Sequence, residues 1–86
     1  MRTVHKLAVP LDRRFKIPPG AEIVLFGPDS RGGLCVWYDY YTEKLGLQGH
    51  IEFKIFGTGF DINEDFIHMA STIDKEGYVW HLYRAP

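Results

Sequence analysis

Four histidines, at positions 5, 50, 68 and 81, are the first residues to test for chemistry. None forms an HxxxH pair and none has a cysteine at ligand spacing. A structural zinc site needs four converging ligands and a catalytic one needs three. His5 and His81 would meet if the first and last strands paired, and even then hydrogen-bonded structural histidines are the expected reading. Ser30, Thr58, Ser71 and Cys35 are the available nucleophiles. No G-x-S-x-G elbow surrounds a serine, and the sequence places no base beside any of the four. Asp61-Ile62-Asn63-Glu64-Asp65 opens like a D-x-N-x-D calcium loop. Phe66 then stands where the loop needs glycine, and Thr72 where it needs a bidentate glutamate. Gly57-Thr58-Gly59 offers backbone N–H groups to an anion. Phe60 and acidic residues follow it, in place of a helix N-terminus and a lysine, so a strand-ending turn is expected. These residues therefore predict no catalytic group, no metal site and no cofactor, and a non-enzymatic protein.

Contact chemistry is better represented. Trp37-Tyr38-Asp39-Tyr40-Tyr41 is the most aromatic stretch of the chain. On a strand Tyr38 and Tyr40 share one face, and Trp37 and Tyr41 the other. One set is expected in the core and the other outside, so Trp37, Tyr38, Tyr40 and Tyr41 are the candidate partner-binding residues. Outward aromatics on a sheet suit a protein interface. They also suit base stacking, with Arg13, Arg14 and Lys16 supplying phosphate contacts. The isoelectric point near 6.4 is low for a nucleic-acid-binding domain. Another protein, or a second copy of the chain in a homodimer, is the preferred partner. Nucleic acid or a nucleotide is the alternative.

The elements that must position these residues are short. Gly and Pro punctuate the chain at regular intervals, as in all-β domains. Strands are expected at 3–9, 13–17, 21–26, 34–41, 50–56, 68–73 and 77–83. Ile51, Phe53 and Ile55 alternate with Glu52 and Lys54, which marks a half-buried strand. Pro18-Pro19-Gly20, the loop 27–33 with Gly32-Gly33, and Asp74–Gly77 are turns, and 42–49 is a loop. Segment 62–73 carries both helical and alternating spacing. It predicts one short helical turn near 63–66 and then a strand. The fold class is mainly β: a small antiparallel sandwich or partly open barrel of six to seven strands.

Size and charge narrow the function. With 86 residues the chain makes one domain, 1–86, with little room for a deep cavity beside its core. Residues 1–16 carry five basic side chains against one acidic; residues 17–86 carry five against ten. The single cysteine fits a reducing compartment. No stretch is long and apolar enough to span a membrane, and the N-terminus lacks a signal-peptide core. A cytoplasmic protein that does not engage the membrane is expected.

Gly20-Ala21-Glu22-Ile23, then Trp37, then Phe53-Lys54-Ile55-Phe56-Gly57-Thr58-Gly59, then Val79-Trp80-His81 resembles a family of short uncharacterised phage- and prophage-encoded proteins. The start, Met1-Arg2-Thr3-Val4-His5-Lys6, is similar too. Phe60 departs from the pattern, since a histidine commonly follows the GTG. The 38–49 stretch also departs, being more aromatic and differently spaced. The resemblance implies an accessory protein of a phage or mobile element, acting in the bacterial host cytoplasm. Such proteins often bind and block host factors, including defence systems. It implies no activity.

Overall fold

The computed structural model describes residues 1–46 and 49–86. It contains seven strands: β1 (Arg2–Ala8), β2 (Arg14–Ile17), β3 (Glu22–Pro28), β4 (Leu34–Tyr41), β5 (Ile51–Gly57), β6 (Ile67–Ile73) and β7 (Val79–Arg84). They form two antiparallel sheets, ordered β1-β4-β3 and β2-β5-β7-β6. The architecture is a mainly β sandwich, and the strands do not close into a barrel.

Alternation decides which side chains face inward. Phe15 and Ile17 from β2, Phe53 and Ile55 from β5, and Leu82 from β7 meet Phe26 and Val36 from the other sheet. Each such side chain contributes about 1.5–3 kcal/mol when fully buried. In a chain this short these few residues carry most of the stability. Tyr38, Leu7, Ile23, Ala70 and Trp80 pack around their margin.

The two hairpins repeat one device. Asp29 and Asp74 each open a D-x-x-G turn, closed by the N–H of Gly32 or Gly77 donating to the aspartate carbonyl at 3.0 and 3.1 Å. Both glycines have φ near +90°, a conformation that favours glycine. Each aspartate Oδ1 also accepts backbone N–H groups, from Arg31 in the first turn and from Glu76 and Tyr78 in the second. The two tips touch through Lys75, whose Nζ donates to the Ser30 carbonyl at 2.6 Å.

Segment 58–66 crosses from β5 to β6 over β7, because β7 lies between them in the sheet. The helical turn expected near 63–66 is a single turn in which Phe66 N–H donates to the Asn63 carbonyl. A helix does not follow, because Phe66 drops edge-on against Phe56, with centroids 5.6 Å apart. Phe56 is thereby buried although it faces away from the core. Among the described residues the helical ones are Thr42–Lys44, a 3-10 turn within the expected loop 42–49. Positions 47 and 48 of that loop lie outside the described residues. The outer side of the four-stranded sheet is thus partly covered by its own crossover. No element crosses the outer side of the three-stranded sheet among the described residues.

Candidate functional site

The uncovered face is built by β4 and its two neighbours. Trp37 lies opposite Lys6 of β1 and Leu25 of β3; Tyr41 lies opposite Arg2, and Asp39 opposite Val4 and Glu22. Because Val36 points into the core, these positions point out. Val4, Leu25 and Tyr41 are exposed. A bulge between Ile23 and Leu25 keeps Leu25 outward and leaves Val24 exposed as well.

The cations on this face are already engaged. Lys6 Nζ lies 5.7 Å from the Trp37 ring centroid and donates to Asp29 Oδ2 at 3.0 Å. Arg2 Nε meets Asp39 Oδ1 at 3.0 Å. Lys44 Nζ sits 4.8 Å from the Tyr41 ring centroid. The Lys6 hydrogen bond, then the Arg31 N–H, hold the Asp29 carboxyl down to about 2. Aromatic and aliphatic carbon flanked by internally neutralised charge can exclude water beneath a partner; it offers little to phosphate.

This arrangement divides the aromatic candidates. Tyr38 and Tyr40 turn inward: Tyr40 is buried, and Tyr38 stacks on His5 at 5.3 Å and packs on the core. Tyr40 is closed to a partner and Tyr38 is half-buried on the inner face, whereas Trp37, also half-buried, and the exposed Tyr41 lie on the outer face. The basic candidates fall on the other sheet. Arg14 and Lys16 are exposed on β2. Arg13 precedes them with φ 60°, its guanidinium 5.7 Å from the Phe60 ring centroid and 5.5 Å from that of Trp80. Arg13, Arg14 and Lys16 therefore do not flank the aromatic strand.

His5 and His81 do not meet, since β1 pairs with β4 and β7 with β5 and β6. His81 joins a different group that sequence reading missed. His68 Nε2 lies 2.8 Å from Ser71 Oγ, Ser71 Oγ 2.7 Å from His81 Nδ1, and His81 Nε2 2.9 Å from Thr58 Oγ1. Thr58 Oγ1 reaches the Val79 carbonyl at 3.4 Å. The proton assignment that also uses this carbonyl runs one way. His68 donates to Ser71, Ser71 to His81, His81 to Thr58, and Thr58 to Val79. The spacing of Thr58 and His81 carried a signal, had the β5–β7 pairing been known. Ser71 is exposed, with the imidazoles of His68 and His81 both within hydrogen-bond reach of its hydroxyl. Among the described residues no three metal-ligating side chains converge. Cys35 is buried, and burial pushes its thiol up, away from the reactive thiolate. Beside Thr58 an apolar groove of about 470 Å³ is lined by Gly57, Phe60, Tyr78, Val79 and Trp80.

From residue 1 to residue 86 the sequence matches the family described as a domain of unknown function, DUF7352. The chain belongs to this family. No curated protein and no solved structure matches this DUF7352 chain. No helix among its described residues is long and apolar enough to cross a membrane.

Proposed function

We propose that the domain is a non-enzymatic accessory protein of a phage or mobile element. It acts in the host bacterial cytoplasm by binding a host protein, defence-system components being one candidate class. The contact surface is the outer face of the three-stranded sheet, with Trp37 at its centre and Tyr41, Leu25 and Val4 around it. The observation that carries this reading is that face: aromatic and aliphatic, without a covering element among the described residues, and with Lys6 and Arg2 engaged by Asp29 and Asp39. Interfaces concentrate their energy in such aromatic anchors. The phage setting rests on the GAEI, FKIFGTG and VWH resemblance, and the non-enzymatic reading on a chain length that leaves little room for a deep cavity beside the core.

The test is affinity capture from host lysate with the tagged wild-type chain, with and without nuclease treatment. A protein recovered at stoichiometric yield, resistant to nuclease, is expected. Recovery of nucleic acid alone, lost in high salt, would instead favour the alternative reading through Arg14 and Lys16.

A further inference from the structure

We infer that two copies of the chain join through the free edge of β1, antiparallel, with His5 on the two-fold axis. The inference goes beyond the proposed host-protein contact and does not rest on it.

Sheet edges invite pairing unless something blunts them. Here three of four are blunted. β2 is four residues long, entered from the left-handed Arg13 and left at Pro18-Pro19. β3 and β6 each carry a register shift, and they approach each other closely enough that a Cβ on Gly27 would lie 3.2 Å from Thr72 Oγ1. β1 is different: its seven residues keep unbroken register with β4, without proline or bulge, and its two charges, Arg2 and Lys6, are paired with Asp39 and Asp29.

The hydrogen bonds at its two ends identify the free groups. Thr42 N–H donates to the Met1 carbonyl at 2.9 Å, and Val9 N–H to the Leu34 carbonyl at 3.0 Å. Odd-numbered residues of β1 therefore bond to β4. The N–H and C=O groups of Arg2, Val4, Lys6 and Ala8 point to the open side.

Charge selects the register in which a second β1 adds. Centring on Val4 sets Arg2 against Lys6 of the second copy, and centring on Lys6 sets the two Lys6 side chains together. Like charges directly opposite destabilise a pair. Centring on His5 sets Arg2 against Ala8, and Val4 against Lys6, and it uses all seven residues. His5 then faces His5 of the second copy as a non-hydrogen-bonded pair, the closest kind. The product is one six-stranded sheet, β3-β4-β1-β1-β4-β3, that carries two copies of Trp37 on one continuous face.

Sedimentation equilibrium should give twice the 9.9 kDa chain mass. Val4→Pro deletes one outward N–H and leaves the β4 bonds intact, so it should yield a folded monomer. In a Cys35→Ala background, His5→Cys should form a disulfide-linked dimer on mild oxidation. Cα atoms about 4.5 Å apart suit that bond. Ala8→Cys, facing Arg2, should not. A monomer at every concentration, or a dimer in which His5→Cys fails to cross-link, would overturn the inference.

Discussion

Trp80 and its neighbours show how closely single side chains are fitted. A Cβ added at Gly57 would lie 3.1 Å from Phe60 Cε1 and 3.4 Å from Trp80 Cζ3. Gly57→Ala should therefore cost about 1–3 kcal/mol by overpacking, read as a lower melting temperature. Adding Phe60→Ala should return part of it. The aspartates make a second prediction. The Trp80 indole N–H, donating to Oδ2 at 2.8 Å, is the main cause holding the Asp74 carboxyl below its usual range. Asp29 is held at about 2, chiefly by Lys6. Both folded values lie below the unfolded ones, so their stabilisation is present above the ordinary carboxylate range. It is lost as pH falls below that range, toward about 2 for Asp29. Melting temperatures across that acid window should fall with pH, and less steeply in Asp29→Asn. The histidine chain makes a third. Neutral His81 should carry its proton on Nε2, because Nδ1 accepts from Ser71; long-range proton–nitrogen spectra read this directly. A proton on Nδ1 would reverse the assigned direction.

Strands were legible because alternation is local: Ile51, Phe53 and Ile55 against Glu52 and Lys54 predict β5 without any partner. The turns were legible for the same reason, since Pro18-Pro19-Gly20 and Asp74–Gly77 demand their own backbone geometry. Strand pairing was not, because it depends on contacts between residues far apart in sequence. That is why Thr58, Ser71, His68 and His81 passed as unrelated residues, and why Arg14 and Lys16 were set beside an aromatic strand that lies in the other sheet. The split of Trp37 and Tyr41 from Tyr38 and Tyr40 was legible; which pair faced outward was not. The turn at Asn63 and the strand after it were legible despite apolar spacing that also fits a helix, while the contact that holds Phe66 on Phe56 across the sheet was not. Leu25 and Val4 became contact candidates only when pairing placed them beside Trp37.

The whole molecule is small enough that function and stability compete for the same residues. Leu82 is fully buried between the sheets, and Leu82→Ala should cost about 2–5 kcal/mol. Against the marginal stability of a domain this size, that loss should leave much of the chain unfolded, visible as a lost cooperative melting transition. Residues on the uncovered face behave differently, because they lie outside the core that Leu82 fills. The most direct measurement is therefore capture of the host protein by Trp37→Ala, with its melting transition recorded in parallel. The account predicts a folded variant that recovers no partner, while Arg14→Ala recovers as much as wild type. Undiminished capture by folded Trp37→Ala, with loss in Arg14→Ala, would contradict it.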